Sequence, residues 1–481
     1  MSPQVLALLP LLITTGTVVA VMIGISVHRS HRFTAALTMT GIGLALASLS
    51  PAWFGADPGA VAVTGLIVVD GLARLAMMLI LITTLGVLIL CPAYVAGYRD
   101  NREELYLLVG VATVGALTLA VASHAATLLL GLELLSLPMV GAVAYSVEHA
   151  RSIEGGVKYL ILSAAATATL LFGVALIYAE LGHLDISALA IALAGTGSPL
   201  VTTGALMILA GVAFKLSLVP FHQWTADVYE AAPLPVTTYL ATVVKLGAFV
   251  VALRLLHTGA ASTSVIIPTV VVVLALASML VGSLLAISQP SLKRLLVYSS
   301  IANFGFLAIT LALPGAEAAR AAGVYLIGYL IASLGVFGVM TLLSSPMGQG
   351  DLENLEQYRG LFWRQPLAAA VLITMLLSLA GIPLTAGFIG KLVILTAGVQ
   401  AGQWWLVGGV VIASAMGMFY YLRVVNVLLD GGEVIPLDKA KVSTRLGSIS
   451  GALLVVLAIA TIWFGVFPES LFTLGQQLVL P

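Results

Sequence analysis

The chain has 481 residues, 60% of them hydrophobic and only 8% charged, against roughly 25% charged in soluble globular proteins. Lys plus Arg equals Asp plus Glu at 20 each, so bulk charge gives no pointer to nucleic acid. A soluble fold cannot hide this much apolar surface, which makes the bilayer the solvent; the single cysteine, Cys91, excludes an internal disulfide and a cysteine-held iron–sulfur or zinc site and reads as a small packed hydrophobe.

A spanning helix needs roughly 20 mostly apolar residues. Fourteen stretches qualify: about 4–27, 33–54, 71–95, 104–122, 124–146, 155–179, 200–223, 234–257, 266–287, 293–313, 319–345, 367–399, 403–428 and 447–472. The first lacks a basic leader and a small-residue cleavage site, so it reads as a retained helix and not a signal peptide. Before the third, Val61 to Val69 is rich in Val, Ile and Thr and suits an extended hairpin arm on the outer face. The seventh contains AFKLSLVPFHQW, where Pro220 deprives the Leu216 carbonyl of its helical partner. The twelfth is unusually long and holds SLAGIPLTAGFIGK, with Gly381, Pro383 and Gly387 together, which predicts a discontinuous helix.

Paired helix interruptions point to a transport site. These two lie five helices apart, and an odd spacing means that repeats of helices 4–8 and 9–13 run in opposite directions. A faint echo agrees: Tyr159-Leu160-Ile161 and Tyr325-Leu326-Ile327 are each followed by a Phe-Gly pair. The expected fold is therefore an all-α polytopic membrane protein of about 14 transmembrane helices, with two inverted five-helix repeats and discontinuous helices 7 and 12. The corresponding units are residues 1–103 (helices 1–3), 104–257 and 258–428 (one repeat each, a half-channel apiece) and 429–481 (a loop and helix 14).

Basic residues set the orientation. With the N-terminus outside, the inner loops hold thirteen: Arg29, Arg32, Arg99, Arg102, Arg151, Lys293, Arg294, Arg359, Arg364, Arg423, Lys439, Lys441 and Arg445, while Arg74, Arg254 and Arg320 fall outside. Both termini are then expected on the outer side. The longest connections, near 346–366 and 429–446, are too short to fold alone. No Gly-rich phosphate loop or dinucleotide fingerprint follows a strand, so the chain offers no place for a nucleotide, flavin or metal.

Charges inside spans are expensive, roughly 2.5 to 3.5 kcal/mol for a central Lys or Asp. Even so, Glu133 lies in helix 5, Lys215 in helix 7, Lys245 in helix 8 and Lys391 just past the Pro383 break, with Lys158 nearer the inner end of helix 6 and His222 at the inner end of helix 7. Burial penalises the charged form of each, and pairing Glu133 with a lysine restores it. A pair that is made and broken thus switches proton affinity, a task for lysine and not for permanently charged arginine. A static Glu133–lysine ion pair is the plain alternative, but one glutamate cannot neutralise three central lysines. Lys158 suits a snorkelling end residue equally well, and His222 a donor to a freed carbonyl. Asp227 and Glu230 in TADVYEAAP are expected in a solvated inner loop, and Trp224, Trp404 and Trp405 in an interfacial aromatic belt.

The stretches LLLGLELLSLP (128–138), KYLILSAAATATLLFG (158–173), FKLSLVPFHQWTADVYEAAPLPVTTYLATVVK (214–245), SLKRLLVYSSIANFG (291–305), LENLEQYRGLFWRQP (352–366) and MLLSLAGIPLTAGFIGKL (375–392) span most of the chain. In them the sequence resembles the antiporter-like membrane subunits of NADH:quinone oxidoreductase (respiratory complex I), and within those the N type. No counterpart of the long C-terminal lateral helix of the L type is expected. The resemblance implies two linked half-channels moving protons from cytoplasm to periplasm across a bacterial inner membrane. Glu133, Lys215, Lys245 and Lys391 match the family's helix 5, 7, 8 and 12 relay groups, and Lys158 matches a helix 6 lysine. Relatives often carry a histidine in helix 10 where this chain has Asn303, which cannot titrate, so a relay there would run through water.

The resemblance implies no cofactor in this chain, with NADH, FMN, iron–sulfur clusters and quinone in other subunits. It implies as partners a neighbouring antiporter-like subunit, the small membrane subunits, the lateral helix of the L subunit and the bilayer, with no nucleic acid. Alternatives are a subunit of a multi-subunit sodium/proton antiporter or membrane-bound hydrogenase, or, from a different class, a stand-alone solute transporter.

Overall fold

A computed structural model describes residues 2–49, 59–98, 101–195, 198–257, 265–313, 315–344, 351–431 and 449–476. The spans are α1 (Pro3–Val27), α2 (His31–Ala47), α3 (Gly71–Val95), α4 (Glu104–Val121), α5 (Ala125–Val143), α6 (Ala150–Leu181), α7a (Pro199–Leu216) with α7b (Gln223–Ala231), and α8 (Leu234–Leu256). They continue as α9 (Ile266–Ile287), α10 (Leu292–Ala312), α11 (Ala316–Leu343), α12a (Pro366–Ala380) with α12b (Ala386–Gln400), α13 (Trp404–Leu429), and α14a (Ile449–Val466) with α14b (Glu469–Gln476). Twelve of these segments are long and apolar enough to cross a bilayer unaided. With the 17-residue α2 and the two 15-residue halves of α12, they make up the fourteen spans expected from the sequence. The chain is thus an all-α multi-pass membrane protein. α8, α10 and α11 are enclosed on nearly every side, while α1, α13 and α14a leave most of their surface facing outward.

The Val61–Val69 stretch forms the antiparallel hairpin Val61–Thr64 and Ile67–Val69. It is pinned by the Ser123 amide and the Thr127 hydroxyl, which both donate to the Leu66 carbonyl. Directly after it, Asp70 caps α3 by accepting from the Ala73 amide at 2.7 Å. The same carboxylate receives Arg254, at the end of α8, in a two-armed contact at 2.9 Å on each arm, and Arg254 also donates to the Ala120 carbonyl at 2.8 Å. Arg254 is 7% exposed. It is a clamp between α3, α4 and α8, more than the mere marker of sidedness expected of it.

Span 7 departs from its expected bounds of 200–223. The helix ends at Leu216, before Pro220, because Ser217 turns to φ 61° and the Leu218 amide closes on the Ala213 carbonyl at 2.8 Å. The break runs through 218–222, and its exposed backbone is met by neighbours: the Val219 amide donates to Ser278 on α9 at 2.9 Å, and Trp224 Nε1 to the Phe214 carbonyl at 3.3 Å. Three expectations change with it. His222 lies at the break, at the start of α7b, and not at an inner helix end. Asp227 and Glu230 sit on α7b and not in a solvated loop, with Glu230 buried. Trp224 is 4% exposed and stacks on Phe214 at 5.1 Å, so it is a core residue and not part of an interfacial belt; Trp404 and Trp405 are exposed.

Span 12 breaks as its Gly and Pro residues predict. Gly381 takes φ 84°, and the Ile382 amide closes on Leu377, the same closure as in span 7. Gly387 then brings α12b against α12a: an added Cβ would stand 1.9 Å from the Ser378 carbonyl oxygen. Gly387→Ala is expected to cost about 1–3 kcal/mol by overpacking and to lower the yield of assembled complex. Gly43→Ala, with open space at its Cβ, should leave the yield unchanged. Helix 14, expected as one span over 447–472, is divided at Phe467–Pro468, and Gly465 packs against the Leu384 backbone in the span 12 break. Arg99, Lys439, Lys441, Arg445 and most of the 429–446 connection lie outside the described residues.

Candidate proton-relay site

Of the residues singled out in the sequence, Lys215, Lys245 and Lys391 are all buried, at 5%, 0% and 7% exposure. Lys215, in the last turn of α7a, donates to Ser136 on α5 and to Ser163 on α6, both at 2.7 Å. Glu133 lies one turn before Ser136 on α5 and is half-buried. No ion pair joins it to Lys215; it acts on that ammonium through space. The structure therefore holds the two with their charges apart, the lysine solvated by two hydroxyls. Ser217 and Thr225, on either side of the break, and Thr167, one turn from Ser163, are buried hydroxyls without a protein partner, which makes this region polar enough to take water.

Lys245 begins a regular helical stretch just after a π turn, Leu240–Val244, inside α8. Such turns widen the helix and recur at functional positions. Two buried tyrosines satisfy its carbonyls: Tyr229 donates to Leu240 at 2.9 Å and Tyr329 to Ala241 at 3.0 Å. The Lys245 ammonium donates to Ser300 on α10 at 2.7 Å and stands 4.8 Å from the Phe304 ring centre. Between Lys215 and Lys245 runs an aromatic chain in which Trp224 touches both Tyr159 and Tyr229, and the Tyr229 ring lies 5.8 Å from the Lys245 ammonium.

Lys391, on α12b, reaches back across the break. It donates to the Leu379 and Ala380 carbonyls at 3.0 and 2.9 Å, the unfilled acceptors at the end of α12a, where the helix dipole favours a cation. Its ammonium stands 5.1 Å from Phe306. A cavity of about 10 Å³, room for about one water, touches Lys391, Asn303, Tyr325, Tyr329 and Ser378. A second, of the same size, touches Ser299, Ser300, Tyr329 and Ser333. Tyr329 lines both. Asn303 accepts from Tyr325 at 2.6 Å and donates to the Ser299 carbonyl at 2.8 Å, so its non-titrating amide is part of the polar lining beside Lys391.

Lys158 does not join this row. Its side chain is 42% exposed and pairs with Glu154 at 2.7 Å and Asp227 at 3.0 Å. It borders an open polar cleft of about 120 Å³ with Arg151, Glu230 and Arg294. Arg294 bonds Glu230 at 2.6 Å, and Arg151 bonds both Glu230 and Glu353. Lys293, buried beneath, pairs with Asp351 at 3.3 Å and caps the end of α7b through the Ala232 carbonyl at 2.7 Å. His222 is half-buried and makes no contact with the lysine row. Among the described residues no three His, Cys, Asp or Glu side chains converge on a point.

The residues missed in the sequence are Ser136, Ser163, Ser299, Ser300, Tyr325 and Tyr329. A signal existed: Glu133 and Ser136, Ser299 and Asn303, and Tyr325 and Tyr329 are polar pairs three or four apart in apolar helices, hence on one face.

Residues 122–417 match the family described as "NADH:quinone oxidoreductase/Mrp antiporter, TM". A protein of Ectopseudomonas mendocina called NADH-quinone oxidoreductase subunit N is 47% identical over 99% of this chain and 97% of that protein. A chain of respiratory complex I from Thermus thermophilus superposes with TM-score 0.81 at 31% identity, covering 96% of this chain and 98% of that one. Two chains below 25% identity share the fold. One is from an archaeal membrane-bound sulfane sulfur reductase, with TM-score 0.84, 24% identity and coverage of 99% and 98%. The other is from the Mrp complex of Dietzia sp., with TM-score 0.83, 21% identity and coverage of 100% and 97%.

Proposed function

The chain belongs to the family of membrane subunits shared by NADH:quinone oxidoreductase and Mrp antiporters, and from that premise we propose how it works. It serves as a proton-translocating subunit of the N type in a respiratory NADH:quinone oxidoreductase, beside other membrane-arm subunits, with the redox cofactors held elsewhere in the complex. The carrying observation is a row of three enclosed lysines whose ammonium groups are met by hydroxyls, carbonyls and aromatic faces and, among the described residues, by no carboxylate within ion-pair distance.

Each lysine holds or releases one proton. The Glu133–Lys215 pair sets the first step. Two unit charges 4 Å apart at an effective dielectric of 20 attract by about 4 kcal/mol, more than the roughly 2.3 kcal/mol needed to move one charge against 100 mV. Closing that pair draws a proton onto Lys215; opening it, as here, favours release toward Lys245. From Lys245 the path runs through Ser300 and the two cavities to Lys391 and leaves past the span 12 break. The matching closures at Ser217 and Gly381 support a half-channel in each of 104–257 and 258–428. Arg151, Lys293, Arg294 and Arg423 gather where α6, α9, α10 and α13 meet their inner loops, which supports an inner side there and both termini in the periplasm.

The purified complex in proteoliposomes tests this. Lys245→Ala and Lys391→Ala should each lower proton uptake per NADH oxidised, or stall turnover, by about tenfold or more. Full pumping by both would overturn the relay. The antiporter and sulfur-reductase assemblies share the fold at lower identity, and no observation favours them.

A further inference from the structure

We propose that the Tyr329 hydroxyl is the group that passes protons between Lys245 and Lys391, and that its bond to the π-turn carbonyl of Ala241 holds that step closed in the arrangement seen here. This rests on the relay reading above. The direction of the bonds carries the argument. The Lys245 ammonium donates to Ser300, which leaves the Ser300 hydrogen free to point at Tyr329, 2.9 Å away. Tyr329 in turn donates to the Ala241 carbonyl at 3.0 Å. The chain of donors that starts at Lys245 therefore ends on an oxygen that cannot hand a proton on.

Tyr329 is also the polar group common to the two cavities, one on the Ser300 side and one on the Lys391 side. A turn of its O–H away from Ala241 and into the Lys391 cavity completes the path. One proton leaves the Lys245 ammonium for the Ser300 oxygen, Ser300 gives its own to Tyr329, and Tyr329 gives its own through water to the neutral Lys391 amine. Both hydroxyls end as they began, and one proton has moved. The acceptor that holds Tyr329 lies in the widened turn Leu240–Val244, directly before Lys245, so the latch on the lysine's outlet and the lysine itself are set by the same π turn. Rewinding that turn would move both.

Packing alone would give Tyr329 a different character. Its ring meets Phe304 edge-on at 5.3 Å, a contact phenylalanine would keep and histidine would not. Tyr329→Phe and Tyr329→His, in the assembled complex in proteoliposomes, should separate the two. The expected result is a loss of about tenfold in proton-coupled turnover for Phe, with His, which donates and accepts, restoring at least half of the wild-type rate. Wild-type turnover in Phe, or a His variant no better than Phe, overturns the proposal. Should Tyr329→Phe fail to assemble, Ser300→Ala carries the test: a similar loss supports the step and unchanged turnover overturns it. Lys245→Ala and Lys391→Ala run alongside. Full activity in those two sinks the relay as a whole, whereas their loss with an unaffected Tyr329→Phe sinks this step alone.

Discussion

Lys215→Ala is expected to abolish most proton translocation by the assembled complex, with turnover falling by about tenfold or more, and Lys215→Arg should do no better. Arginine keeps the charge, but its guanidinium does not release a proton in any environment found in proteins. The Ser136 and Ser163 hydroxyls would still find a cation, so a purely structural role for Lys215 predicts that Arg rescues. The alanine and arginine pair thus separates charge from proton exchange. Glu133→Gln should also lower pumping, because the pair that draws the proton onto Lys215 can then no longer close, while the hydroxyls still hold the lysine in place. Proton uptake per NADH oxidised is the measurement, with assembly checked on the same samples. Full pumping by Lys215→Arg would remove Lys215 from the path.

The second large effect concerns stability. Asp70→Ala or Arg254→Ala alone leaves a buried charge without its partner, at a cost of about 3–5 kcal/mol. Asp70→Ala also removes the cap of α3, worth about 1 kcal/mol. The pair Asp70→Leu with Arg254→Leu should cost much less than the sum of the two alanine variants, since neither charge is then stranded. Resistance of the solubilised complex to heat reads this out. The clamp ties the hairpin end of α3 to α4 and to the end of α8, the helix that carries Lys245. Single variants that still assemble are therefore expected to lose coupling as well as stability. Alanine variants as heat-resistant as wild type would show that the clamp bears no load.

Spans were legible because the bilayer imposes them. A run of about twenty apolar residues has one way to satisfy its backbone in lipid. The break in helix 12 was legible because Gly381, Pro383 and Gly387 announce it. The break in helix 7 was legible only in part. Pro220 marks its neighbourhood, but the helix ends earlier, at Ser217, where a serine takes a backbone angle usually left to glycine, with Ser278 of α9 and Trp224 of α7b bonding the backbone on either side of it. That error moved Trp224, Asp227 and Glu230 from the half-helix α7b to a loop or an interface.

By itself the sequence determined that the chain lives in the bilayer, how many times it crosses, and that it carries ionisable groups where they are costly, because each of these follows from local composition and a fixed membrane thickness. Whether those groups meet anything was decided by tertiary structure alone. Lys158 and Lys215 look alike in sequence, yet one faces a solvated ion cluster and the other two buried hydroxyls. The hydroxyl and carbonyls that receive Lys245 and Lys391 come from α10 and α12a, brought to them by packing, and no periodicity within a single helix encodes what the facing segment presents.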